Sequence, residues 1–228
     1  TTELASLARR PQAAAFAGVG RIPVIDVGPV AEGGRWPARA VPGEAVPITA
    51  TVFKEGHDAV GATAVLVSPE GRDHCAVRMT EVNHGLARFE CQVVADRAGE
   101  WSFRVEAWCD PYASWRHDAD IKIPADQDVE TVLAEGARLM ERAAKRRGLV
   151  SADKAVFLAA AAGLRDQTLR PAQRLAAATD GSVAALLAGE PLREQVTRSA
   201  AYGLRVQRER ALVGNWYELF PRSVGARF

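Results

Sequence analysis

The chain has 228 residues, 48% of them apolar and 25% charged, with a net charge of +1. That is long enough for two small domains with a sizeable core. The near-neutral balance gives no electrostatic reason to expect nucleic acid or a membrane surface as a partner, and no stretch reaches the ~18 apolar residues of a spanning helix.

Residues 1–20 are rich in alanine and close on Gly18 and Gly20. They lack the continuous apolar stretch of a signal peptide and read as a mobile tail. The missing initiator Met predicts a trimmed or processed chain. RIPVIDVGPV (21–30) is a short β segment in which Pro23 and Pro29 demand an edge or a strand end. The run 31–45 is turn-rich, and its Arg39–Glu44 part leads into a strand. In 46–53, Val46, Ile48, Ala50 and Val52 alternate with Thr49, Thr51 and Phe53, as in a half-buried strand. A loop with His57 and Asp58 follows. Further strands are predicted at 63–72, 75–82 and 87–95.

Gly99–Ala107 is the predicted central strand, with Trp101, Phe103, Val105 and Ala107 on one face. Asp110-Pro111 breaks it, DPYASWRH reads as the loop at its end, and ADIKIP (119–124) as a last strand. About seven short strands with frequent turn signals predict an immunoglobulin-like sandwich over 21–125, with Trp101 filling its centre.

The period then becomes helical. Helices are predicted at 129–147, with acids early and bases late, and from a Ser151 cap to Arg165. Three more follow: one from Pro171, one from a Ser182 cap to Gly189, and a fifth, LREQVTRS, opened by Pro191. Residues 126–205 thus read as a small antiparallel bundle. In 206–228, Val206 and Arg208 suggest a short strand. The apolar run Trp216–Phe220, stopped by Pro221, reads as a buried strand that needs neighbours from a longer polypeptide.

The three cysteines, Cys75, Cys91 and Cys109, form no CxxC pair and read as small buried hydrophobes in a reducing cytoplasm. A Cys91–Cys109 bridge is conceivable only if the Cα atoms lie within about 7 Å. The spacing does not suit a metal site, and the residues point to no cofactor and no catalytic constellation. His57-Asp58 reads as loop packing, since adjacent side chains point apart. Trp108, Tyr112 and Trp115, with Asp110 and Arg116, have two readings: a platform for sugar rings, or packing and partner contact. Packing is the favoured one. Arg116 and His117 lack the glycine-rich loop or helix N-terminus of a phosphate site, and Lys145–Arg147 reads as a solvated helix end.

Several runs, in order, resemble one family. They are RIPVIDVGPV, PARAVPGE, TVFKEGHDAVGA, WSFRVEAWCDPYASWRHDADIKI, LAEGARLMERAA, PLREQVTRS and RERALVGNWYELFPRS. The family is the α-1,4-glucan:maltose-1-phosphate maltosyltransferases of the α-amylase superfamily, and the likeness covers about residues 21–223. It implies an all-β immunoglobulin-like sandwich followed by an all-α helical bundle, ending in the first strand of a (β/α)8 barrel whose remainder is absent. It further implies a cytoplasmic homodimer acting on maltose 1-phosphate and α-glucan. The family works with retention through two carboxyl groups; these lie on later barrel strands, so no catalytic residue is assigned here. A glucan-binding module and a ligand-free scaffold are the competing readings.

Overall fold

The computed structural model describes residues 20–213. The predicted tail before Gly20 and the predicted barrel strand at Trp216–Phe220 lie outside them.

Two sheets enclose one apolar core. The first holds β1 (Val24–Gly28), β3 (Ala45–Val52), β7 (Arg88–Val94) and β6 (Thr80–Asn83), in that spatial order. The second runs β2 (Ala38–Ala40), β10 (Tyr202–Val206), β8 (Gly99–Cys109), β4 (Val60–Val67) and β5 (Asp73–Arg78), with β9 (Glu194–Arg198) also on β8. Alternation aligns the two inner faces: Val46, Ile48, Ala50 and Val52 from β3 meet Trp101, Phe103, Val105 and Ala107 from β8. Each large side chain buried there contributes about 1.5–3 kcal/mol. Trp101 is buried as predicted, its indole N–H donating to the Arg97 carbonyl at 3.0 Å. β1 occupies a sheet edge, and Pro23 and Pro29 lie just outside its two ends.

The predicted strand at 75–82 is two strands in different sheets. β5 and β6 part at Met79, which is buried and whose N–H donates to the Ala62 carbonyl. The predicted loop and strand after β8 are instead one helix, α1 (Pro111–Lys122). Asp110 caps it, its carboxylate accepting from the Ala113 N–H at 2.9 Å, and Pro111 occupies the first turn, where a missing N–H costs nothing. Tyr112, Trp115 and Ala119 fall on its buried face.

The helical layer continues with α2 (Val129–Ala144), α3 (Ser151–Arg165), α4 (Pro171–Thr179) and α5 (Gly181–Gly189). Leu133, Met140, Phe157 and Leu164 fill its core, with small residues between. At one crossing a Cβ on Gly163 would stand 2.6 Å from the Ala177 Cβ. Two caps differ from prediction. Ser151 is inside its helix behind Val150, and Asp180 rather than Ser182 caps α5, accepting from both Ser182 and Val183 N–H groups. The predicted fifth helix is β9. Pro191 follows the stop at Gly189 rather than opening a helix, and Val196 and Thr197 suit the pairing with β8. β9 and β10 therefore return the chain to the second sheet after the helices, lying end to end along one edge of β8.

Candidate functional site

The last turn of β8 and the first of α1 form the junction between sandwich and helices, and the aromatic candidates converge there. Alternation ends at Val105: the next four residues, Glu106 to Cys109, are all buried. Trp108 points away from the sandwich core. Its indole N–H donates to the Thr63 hydroxyl at 3.1 Å, and its ring fits a notch left by Gly61, where a Cβ would come within 2.4 Å. Arg78 and Arg193 cover the ring, 5.2 and 5.6 Å from its centroid. Arg78 also pairs with Asp110 at 3.2 Å, so the α1 cap and the indole are held by one side chain.

Tyr112 and Trp115 belong to the helical core. The Tyr112 hydroxyl donates to the Ala178 carbonyl at 3.0 Å, and the Trp115 indole N–H to the Val132 carbonyl at 2.7 Å. Trp108, Tyr112 and Trp115 are 0, 8 and 5% exposed, so no ring face is open for stacking on a sugar in this arrangement. Their polar atoms are engaged in joining elements.

Buried Glu106 anchors the outer side of the same junction. Arg104 and Arg198 reach its Oε1 at 3.1 and 3.0 Å, and Arg193 its Oε2 at 3.4 Å. Arg104 also binds Asp73 through two 2.8 Å bonds. That bidentate pair holds the Asp73 carboxyl below its usual range. One carboxylate thus ties β8 to β9 and to the segment entering it.

A cavity of about 600 Å³ opens beside the junction, walled by His57, Asp58, Cys109, Trp115, Arg142 and Glu194 among others. A second hollow of about 490 Å³ lies on the other side of the 53–59 loop and is lined by His57, His84 and His117. Loop and helix are stitched together: the Ala59 N–H donates to the Ser114 hydroxyl at 2.8 Å, and the Asp110 N–H to the Ala59 carbonyl at 2.8 Å. The charged groups of the cavity are largely paired, Asp58 with Lys54, Asp118 with Lys122 and Glu194 with Arg142. Asp58 holds the Lys54 ammonium above its usual pKa. Arg116 pairs loosely with Asp120 at 3.9 Å. His84 in the second hollow contacts Glu81 at 3.0 Å on an open surface, and among the described side chains lining the two hollows no nucleophile is hydrogen-bonded to a base.

All three cysteines are free thiols, so the conceivable Cys91–Cys109 bridge is not formed. Burial pushes the Cys91 thiol up to about 11, which keeps it protonated and unreactive near neutrality. Among the described residues no group of three or more His, Cys, Asp or Glu is placed to hold a metal ion, and no helix is long and apolar enough to cross a membrane.

The sequence reading did not single out Glu106, Arg78 or Arg193. The available signal was the end of alternation after Val105, which marks a strand covered on both faces. Nor did it single out Trp36, which is 57% exposed, whereas Trp101, Trp108 and Trp115 are buried.

Residues 20–208 match the family described as alpha-1,4-glucan:maltose-1-phosphate maltosyltransferase, domain N/S. Two curated relatives from Streptomyces coelicolor, named alpha-1,4-glucan:maltose-1-phosphate maltosyltransferase 1 and 2, are each 53% identical to the chain. They align over 91 and 92% of it but over only 30 and 31% of their own lengths. A relative of the same enzyme name from Mycobacterium tuberculosis is 38% identical over 90% of the chain and 32% of its own length. The chain therefore spans about a third of the length of the curated relatives it matches.

Proposed function

The chain belongs to the alpha-1,4-glucan:maltose-1-phosphate maltosyltransferase family, in the region of domain N/S, and from that premise we propose that it is the accessory and dimerising part of a longer cytoplasmic enzyme. That enzyme transfers maltosyl units from maltose 1-phosphate to the non-reducing ends of α-1,4-glucan. Its two catalytic carboxyl groups belong to a (β/α)8 barrel elsewhere in the longer polypeptide, and the sandwich here is of the immunoglobulin-like kind.

The observation that carries this reading is the use made of the junction side chains. Trp108, Tyr112, Trp115, Glu106 and Asp110 all have their polar atoms bound to neighbouring elements. A retaining transfer needs two carboxyl groups about 5 Å apart across an open sugar site. Three of the carboxylates around the cavity, Asp58, Asp118 and Glu194, are held by cations instead.

A second copy of the chain is the partner in this reading, and α3 offers it a face. Ala155, Leu158, Ala159 and Ala162 lie exposed along one side of that helix, at the spacing of a single stripe. Leu158 is 46% exposed, and Val150, just before the helix, is 60% exposed. Alanines allow two helices to approach closely.

The test of the accessory role is phosphate release from maltose 1-phosphate in the presence of glycogen. The 228-residue chain is expected to release none, and the longer enzyme carrying this region to release it. Turnover by the chain alone would overturn the reading.

A further inference from the structure

The exposed tryptophan sits just before β2, the edge strand of the second sheet, away from the junction that buries Trp108 and Trp115. Trp36 closes the tight turn between β1 and β2. Its N–H meets the Ala31 carbonyl across an isolated bridge at 3.4 Å, and Gly33 and Gly34, at φ of +65° and +90°, give the turn its curvature. The indole N–H donates to Glu32 Oε2 at 3.2 Å, which fixes the ring plane. The Arg35 guanidinium stacks over the ring, 5.7 Å from the centroid. Pro37 stiffens the chain on the other side. Even so, the residue keeps 57% of its surface exposed.

The ring borders a hollow of about 490 Å³ lined by Ala31, Trp36, Pro37, Ala38, Arg39 and Arg205. Arg205 is held by Glu100 at 2.7 Å, which leaves further guanidinium N–H groups to donate. The hollow therefore combines a fixed aromatic face, an apolar floor and two fork-shaped donors at its rim.

We propose that this hollow is a binding site for an α-1,4-linked glucan chain, with Trp36 as the stacking platform and Arg39 and Arg205 as hydroxyl donors. The C–H face of a pyranose is electropositive and apolar, and it complements the electron-rich face of the indole. The hydroxyls project sideways, where the guanidiniums reach them. The scale fits one or two sugar rings. A protein partner of ordinary stability covers about 800 Å² per side, far more than one ring and two arginines present. The choice of an α-glucan rests on the reading that the parent enzyme elongates that polymer. In that enzyme the site would hold the polymer away from the reacting end, on a face that the sandwich presents.

The test is titration of the 15N-labelled 228-residue chain with maltoheptaose. Five tryptophans give five indole N–H signals, and the one missing from Trp36→Phe belongs to Trp36. That signal is expected to move saturably, with a Kd of about 1 mM, while the signals of Trp101, Trp108 and Trp115 stay in place. Trp36→Ala is expected to abolish binding, and Arg39→Ala to weaken it several-fold, with unchanged thermal midpoints because both side chains are at the surface. A Trp36 signal that does not respond to maltoheptaose, or a response in other signals that persists in Trp36→Ala, overturns the proposal. Phosphate release by the longer enzyme is a separate measurement. Activity there without maltoheptaose binding here removes only the platform, and binding here without that activity removes only the parent function.

Discussion

At the scale of single residues, the aromatics of this chain are fitted by the glycines opposite them. Gly136 on α2 is the sharpest case, since a Cβ there would stand 2.2 Å from Trp115 Cζ2. On an isolated helix, Gly136→Ala would gain about 1 kcal/mol from helix propensity. Here the overpacked contact is expected to win and to destabilise the protein by about 1–3 kcal/mol in urea unfolding. Shortening the opposing ring relieves the clash, so Gly136→Ala and Trp115→Phe together should cost less than the sum of the two. A coupling of at least about 0.5 kcal/mol in that cycle is expected; strict additivity would contradict the packing argument. The sequence shows Trp108, Tyr112 and Trp115 as a group but not which way their rings face. That orientation is set by absent side chains, at Gly61 and Gly136, and by carbonyl acceptors such as those of Val132 and Ala178. Both belong to elements distant in sequence, so spacing alone could mark the cluster but not separate a sugar platform from a weld between layers.

At the scale of elements, the helices are joined by one buried cation. Arg174 on α4 is 4% exposed; its Nε donates to the Leu164 carbonyl at 2.9 Å, and its two terminal nitrogens reach Glu130 on α2 at 2.6 and 3.0 Å. Three helices thus share one guanidinium, and Arg174→Met is expected to cost about 1–3 kcal/mol by stranding the carbonyl. Arg174 also holds the Glu130 carboxyl below its usual value of 4.5. A carboxyl with a depressed pKa in the folded state takes up more protons when unfolded, so its stabilising effect is full above about 4.5 and is lost as pH falls through the folded value. Glu130→Gln should therefore be less stable than the parent chain at pH 7, with the gap narrowing as the pH falls below about 4.5. A gap independent of pH in thermal unfolding would contradict the assignment. The alternating strands and α2 to α5 were legible in the sequence because their periods and stops were strong. α1 and β9 differ from the sequence pattern for opposite reasons. Asp110-Pro111 reads as a break but is a helix start, and Pro191 reads as a start but follows a helix stop. In both places a proline fixed its own φ and left the direction of the change to tertiary pairing.

At the scale of the whole molecule, the helices form a loop out of the second sheet: β8 leads into them and β9 and β10 bring the chain back to the same strand. That arrangement fixes the helical layer at both ends and turns the outer side of α3 away from the packed core. A small domain rarely leaves Leu158 and three neighbouring alanines uncovered in a row. In a two-fold dimer the same stripe meets itself, so a single substitution is felt twice. Leu158→Lys places a charge at the centre of that contact on both copies, where burial without a partner is costly. The parent chain is expected to run as a dimer of twice 24.5 kDa by light scattering, and Leu158→Lys as a monomer of 24.5 kDa with its thermal midpoint measured at low concentration nearly unchanged. Leu158→Ala, which only trims the stripe, should weaken the dimer less and shift its concentration dependence without abolishing it. If Leu158→Lys remains dimeric, α3 is not the contact, and the partner surface must be sought on the exposed edges β1 or β6 of the sandwich, where unpaired backbone groups offer the next contact.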